Sequence, residues 1–329
     1  MKNTTVSLNV LPILVGPTGS GKTAVALELA RRLGTDILSA DSRQVYRHLA
    51  VGTAKPHGRW TAVPDHPLKR CYLVDGIPVH LTDILEPHET YNAGLFSRQA
   101  TQTIQQLLNA GRPYPVIVGG TGLYIKALVD GLAPLPERDT SFRDDILRRA
   151  ERQGRQALHD ELARIDPEAA RSIPPNNIQR VVRALEVHHL TGRPISWWQR
   201  EKTTPAPFPV RFVGLRWDKT SYEKMLAERC AGMMRDGLID ETRDLLHRKV
   251  PATAPCFQAL GYPAVIEFLD GRIDKGTLEK TLFHQTRLFA KRQMTWFRAE
   301  QRIQWLDMIP PFDAPSCADR ILSLIKARR

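Results

Sequence analysis

The chain has 329 residues, and its 47 Lys and Arg outnumber 35 Asp and Glu to give a formal net charge of +12 and a pI near 9.8. That length allows a full α/β core with a smaller second domain, because single cores stop growing at about 250–300 residues. The cysteines Cys71, Cys230, Cys256 and Cys317 lie far apart with no C-x-x-C pair, which indicates neither a disulfide framework nor a zinc module. No apolar run approaches the roughly 18 residues of a membrane span, so a soluble cytoplasmic protein is expected.

The first strand expected is Leu11 to Val15, and the short apolar stretch there leaves no room for a removable signal peptide. Gly16, Pro17, Thr18, Gly19, Ser20, Gly21, Lys22 and Thr23 follow it and precede a helical pattern. They fit the phosphate-loop pattern G-x-x-x-x-G-K-[ST]. Glycines let successive N–H groups point inward, the next helix presents its positive end, Lys22 supplies a cation, and the Thr23 hydroxyl can hold Mg²⁺. A second strand, Asp36 to Ser39, runs into Asp41, Ser42, Arg43 and Gln44. This places a carboxylate at the strand edge where α/β sheets build sites. Asp41 there is a general base, a Mg²⁺ partner, or an ordinary turn aspartate.

A third strand, Pro115 to Val118, leads into Gly119-Gly120-Thr121-Gly122. An ATP-hydrolysing protein would usually show an acid there; a second glycine turn opens a helix instead. Thr121 and nearby amides are candidates for an anion-binding element, with a plain strand-to-helix turn as the alternative. From residue 134 to 208 strand signals vanish, and the sequence is helical, Arg-rich and bounded by proline clusters. Within this insertion a helix is expected after Asn177, with Ile178, Val181, Val182 and Leu185 buried, Arg180 and Arg183 free, and Gly192 as its stop. A fourth strand, Val210 to Leu215, returns to the sheet.

The stretch Lys280 to Arg298 is predicted helical, with Leu282, Phe283, Phe289, Ala290, Trp296 and Phe297 on its apolar face. Lys280, His284, Arg287, Lys291 and Arg298 lie on the other. From Lys280 to Arg329 ten basic residues stand against four acidic ones, which suits a nucleic-acid backbone or, alternatively, a solvated basic surface. The expected architecture is a P-loop NTPase-like, doubly wound parallel sheet formed by 1–133 and 209–329, with an inserted all-helical domain at 134–208.

GPTGSGKT from Gly16, SADSRQVY from Ser39, GTAKP from Gly52, VGGTGLY from Val118, NNIQRVVRALEV from Asn176 and KRQMTWFR from Lys291 together resemble the tRNA dimethylallyltransferases, in order and over nearly the whole chain. The resemblance implies transfer of a dimethylallyl group from dimethylallyl diphosphate to N6 of the adenosine 3′ of the anticodon in tRNAs reading codons that start with U. It implies Lys22 and Arg229 on the leaving diphosphate, Thr23 holding Mg²⁺, Asp41 as base, and Thr121 near the reacting centre. The tRNA anticodon stem-loop would meet Asp41, Ser42, Arg43, Gln44, Thr121, Arg143, Asn177, Gln179, Arg180, Gln258, Gly261, Tyr262, Lys291, Arg292, Gln293 and Arg298, with the chain acting as a monomer. The insertion 134–208 would then bind tRNA.

The sequence departs from the family pattern in a longer segment, His57 to Ile77, and at Val79, Leu95 and Pro263-Ala264. Alternatives are an adenylate isopentenyltransferase acting on free AMP, ADP or ATP, a P-loop kinase of a small metabolite, and a non-catalytic RNA-binding protein.

Overall fold

The computed structural model describes residues 8–326. Arg328 and Arg329, two of the ten basic residues at the C-terminal end, lie outside them. The elements run in chain order β1 (Leu11–Val15), α1 (Lys22–Leu33), β2 (Ile37–Ser39), β3 (Arg59–Ala62), β4 (Arg70–Val74), β5 (Ile77–His80), α2 (Ala93–Asn109), β6 (Val116–Gly119) and α3 (Gly122–Val129). Five helices follow: α4 (Thr140–Gln153), α5 (Arg155–Ile165), α6 (Pro167–Ser172), α7 (Ile178–Thr191) and α8 (Ile195–Glu201). The chain then forms β7 (Val210–Trp217), α9 (Lys219–Arg235), α10 (Leu238–His247), α11 (Tyr262–Leu269), α12 (Lys275–Arg298), β8 (Ile303–Met308) and α13 (Ala314–Lys326).

All five residues of β1 are buried, as a strand covered on both faces requires. It lies inside a sheet ordered β3-β4-β5-β2-β6-β1-β7-β8, which is parallel except at the β3–β4 and β4–β5 pairings. Alternation along β1 feeds two cores. Leu14 packs with Leu29 and Leu33 of α1 and Ile321 of α13, while Leu11 and Ile13 pack with Phe96 and Ile104 of α2 and Leu128 of α3. A third core joins α9, α10, α11 and α12 through Met233, Leu238, Tyr262, Val265 and Leu282. The result is a mixed α/β architecture around a mainly parallel sheet.

The long segment 57–77 forms the β3–β4 hairpin and extends the sheet edge by two antiparallel strands. Its turn inserts His66 beside Asp36, just before β2. Both His66 Nε2 and His80 Nε2 lie 2.7 Å from Asp36 Oδ2, and Arg112 donates to Oδ1 at 2.6 Å. Among the described residues this is the one group of three His, Cys, Asp or Glu close enough to share a metal. The Leu68 N–H donates to His66 Nδ1 at 3.1 Å, however, so the neutral ring carries its proton on Nε2 and points it at Asp36. The cluster is therefore a hydrogen-bonded brace.

Burial would raise Asp36, but His80, His66 and Arg112 outweigh it and hold the carboxyl at about 2. Because this is below its ordinary value of 3.8, the stability it contributes is full above pH ~4 and disappears as pH falls toward 2, about 2 kcal/mol in all. Burial also lowers His66 against the pull of Asp36, so its protonation favours unfolding in the same direction. Asp36→Asn should cost about 3 kcal/mol by urea unfolding at pH 7 and flatten the acid limb below pH 4. An acid limb unchanged in the variant would assign that loss to other carboxylates.

The chain divides into two compact units, residues up to Val129 with those from Pro207 onward, and Asp130–Ala206. The second unit starts and ends slightly earlier than the expected 134–208. It contains five helices and, among the described residues, no strand. Its core joins Ile146, Leu158, Leu162, Val181, Val182, Leu185 and Ile195. Gly192 closes α7 at φ 66, and Asn177 occupies the N-cap position without a side-chain capping bond.

Candidate active site

The loop between β1 and α1 ends on Gly21, whose φ of 83 favours glycine. Gly21 is the N-cap of α1 and offers no side-chain cap, and the first turn holds no acidic residue. The open amides of Lys22, Thr23 and Ala24 border a cavity of about 980 Å³. Lys22 Nζ donates to the Pro17 carbonyl at 3.0 Å. Burial lowers its pKa to about 8, with nearby Asp41 opposing the shift and Arg229 adding to it. The Thr23 hydroxyl makes no hydrogen bond among the described residues, and Ser20 Oγ is buried without a partner.

The loop is braced from outside. Tyr222 Oη donates to the Thr18 carbonyl at 2.5 Å, Trp217 Nε1 donates to the Ser20 carbonyl at 3.1 Å, and the Thr18 N–H donates to Gln293 Oε1 at 2.8 Å.

Two neighbouring turns are stitched together at the ends of β2 and β6. The Ala40 N–H donates to Val118 O at 2.7 Å and the Thr121 N–H to Ala40 O at 3.2 Å. The Ser42 N–H donates to Thr121 Oγ1 at 3.1 Å. Asp41 is both a turn aspartate and a cavity residue. Its Oδ1 accepts the N–H groups of Arg43 at 2.8 Å and Gln44 at 3.2 Å, while no hydrogen bond engages Oδ2 among the described residues. The second glycine turn owes its composition to close packing: a β-carbon at Gly120 would sit 2.2 Å from Gln293 Nε2.

Arg229 projects from α9 to the same cavity, with Cδ 3.5 Å from where a Gly19 β-carbon would stand. Its Nε is buried without a partner, and burial lowers its pKa despite the opposing charge of Asp41. Three anion-binding groups thus border the one cavity: Lys22, Arg229 and the start of α1. Met225, Met233, Leu260, Leu288 and Phe289 supply an apolar wall.

Of the residues matched to tRNA contacts, Ser42, Arg43, Gln44, Thr121, Gln258, Arg292 and Gln293 border this cavity. Lys291 and Arg298 are exposed on α12. Arg43 also donates to Pro255 O, and Gln44 to Thr53 O and Ala54 O. Tyr262 is fully buried, and its hydroxyl donates to Glu241 Oε1 at 2.6 Å. Glu241 in turn accepts the N–H groups of Ala50, Val51 and Gly52. Gly261 is likewise buried. Tyr262 and Gly261, matched to tRNA contacts, thus stand buried, Tyr262 in the core with Leu238, Val265 and Leu282.

In the Asp130–Ala206 unit, Gln179 and Arg180 are exposed and Asn177 is partly so. Arg143 donates to Gln179 at 2.8 Å and to the buried Glu186 at 3.4 Å. Arg183, expected to be free, is bonded to Glu186 and to Pro136 O; the buried carboxylate recruits it. On α12, Trp296 lies against Gly122 yet is 45% exposed, while the buried stripe runs Leu278, Leu282, Thr286, Ala290, Gln293 and Phe297.

Residues 44–300 match the IPP transferase family. The chain is similar to the tRNA dimethylallyltransferase of Geobacillus thermodenitrificans, 38% identical over 91% of this chain and 90% of the relative. It is also 38% identical to that of Stenotrophomonas maltophilia over 95% and 96% of the two chains. The crystal structure of the tRNA isopentenylpyrophosphate transferase from Bacillus halodurans superimposes with a TM-score of 0.66 at 34% identity, over 97% of each chain. With its sequence and backbone both shared with these enzymes, the chain belongs to the IPP transferase family.

Proposed function

We propose that this transferase moves a dimethylallyl group from dimethylallyl diphosphate to N6 of the adenosine 3′ of the anticodon in tRNAs reading codons that begin with U. One observation carries the reading: a single cavity unites Lys22, the unpartnered Arg229 Nε and the open first turn of α1 with a carboxylate that has a free oxygen and with an apolar wall. The names of its relatives support tRNA as the acceptor.

The loop 16–23 acts in this reading as a P-loop. The first-turn amides of α1, Lys22 and Arg229 hold the donor diphosphate, and Met225, Leu288 and Phe289 shield the prenyl tail from water. The partnerless Thr23 hydroxyl beside these cations fits a Mg²⁺ ligand; bound there, the ion would supply further charge neutralisation. The adenine must leave its stack to enter the cavity. Its N6 attacks C1 of the prenyl group while the C1–O bond breaks and its electron pair departs with the diphosphate. Lys22 and Arg229 stabilise that developing charge. Asp41 Oδ2 takes the proton released from N6, and Oδ1 keeps the turn in place.

The products expected are inorganic diphosphate and N6-dimethylallyladenosine, detected by mass spectrometry of nucleosides digested from tRNA incubated with enzyme, donor and Mg²⁺. Unmodified adenosine under saturating donor would contradict the reading. A tRNA acceptor would fit a cytoplasmic site of action. No described helix is long and apolar enough to cross a membrane.

The exposed face of α12 carries Lys280, Arg287, Lys291, Arg292 and Arg298 and would hold the RNA backbone. Lys291→Ala and Arg298→Ala should each weaken tRNA binding and reduce the slope of log K against log salt by about one. Fluorescence titrations across a salt series measure this, and unchanged slopes return both residues to a solvated surface.

A further inference from the structure

Gln293 is buried on α12, immediately after the cavity residue Arg292. Its amide joins two parts of the site. Oε1 accepts the Thr18 N–H at 2.8 Å, from the phosphate-binding loop, and Nε2 donates to Gly120 O at 2.9 Å, on the turn carrying Thr121. That turn is itself bonded to Ser42 beside Asp41. Gly120 admits this bridge because any β-carbon would stand 2.2 Å from Nε2. Only an amide of this length supplies the acceptor and the donor together. Glutamate would turn a carboxylate oxygen toward the Gly120 carbonyl, and methionine would leave both backbone groups without their partner.

We propose that Gln293 is a positioning residue that fixes the diphosphate loop relative to the Asp41–Thr121 turns, and so sets the distance between donor and acceptor. This rests on the transfer reading above. Misplacement of reacting groups by about 1 Å lowers rates by around 10²-fold, and the two bonds leave little slack for such a shift.

Gln293→Met and Gln293→Glu test the assignment by amide hydrogen exchange and by steady-state kinetics per folded molecule. In Gln293→Met, exchange should quicken in peptides covering 16–23 and 119–122. Turnover should fall about 10- to 100-fold, with KM for tRNA within about threefold. Gln293→Glu, which keeps an acceptor for Thr18, should quicken exchange chiefly in 119–122. Turnover unchanged per folded molecule would overturn the proposal, and so would a loss confined to KM for tRNA, the mark of a direct RNA contact. If the unsubstituted enzyme transfers nothing, the transfer reading fails separately. Exchange then decides whether Gln293 ties the two segments, and unaltered exchange in both variants overturns that tie. Should Gln293→Met not fold, Gln293→Glu carries the same two readouts.

Discussion

Asp41→Asn is expected to lower turnover by about 10²- to 10⁴-fold, the range for loss of a general base, with tRNA affinity little changed. Asparagine is the informative substitution because it keeps an oxygen for the N–H groups of Arg43 and Gln44 and removes only the basicity of the second oxygen. Asp41→Ala would lose the turn as well, adding about 1 kcal/mol of destabilisation. A second consequence separates the variant from a general loosening of the site. The Asp41 charge raises the pKa of Lys22 against its burial, so in Asp41→Asn the lysine should lose its proton below the starting value of about 8. Donor affinity, which needs charged Lys22, would then weaken at lower pH than in the unsubstituted protein. Equal losses in turnover and tRNA affinity would make Asp41 an RNA-binding residue.

Arg229→Gln should lower turnover by about 10²- to 10³-fold, the scale of removing one preorganised charge-stabilising group. The arginine has no hydrogen-bonding partner for its buried Nε and lies against Gly19 in the loop 16–23, so its charge is available to a ligand. Its removal should shift the alkaline limb of donor binding the opposite way. Arg229 lowers Lys22, and without it Lys22 stays charged above pH 8. Calorimetric titration with inorganic pyrophosphate from pH 7 to 10 measures both shifts. Movement of the limb in the same direction in both variants would contradict the electrostatic account.

The parts of the fold legible in the sequence were those whose pattern is local. β1, β2, β6 and β7 followed from short apolar runs before turns, and Gly192 marked the end of α7. The phosphate-loop motif named its own residues, and Asp41 was legible as a strand-end carboxylate at once available to a turn and to chemistry. What escaped depends on partners far along the chain. The β3–β4 hairpin is held by edge pairing and by His66 on Asp36, neither of which leaves a periodic mark. β8 completes a sheet edge on the distant β7, and α13 a core whose other half lies at the start of the chain. Tyr262 looks like an RNA-stacking aromatic until Glu241 engages its hydroxyl. Gln293 did carry a clue: it falls three residues after Ala290 and four before Phe297, on the buried stripe of α12. An uncharged polar residue in such a register is a candidate for internal bridging.

Transfer of label from 1-³H-dimethylallyl diphosphate tests the central claim most directly, with unmodified tRNA, AMP and ATP offered to the purified enzyme in separate Mg²⁺-containing reactions. Label is expected in tRNA alone, at the adenosine 3′ of the anticodon, with release of one diphosphate per group transferred. Label in AMP or ATP with none in tRNA would contradict the account.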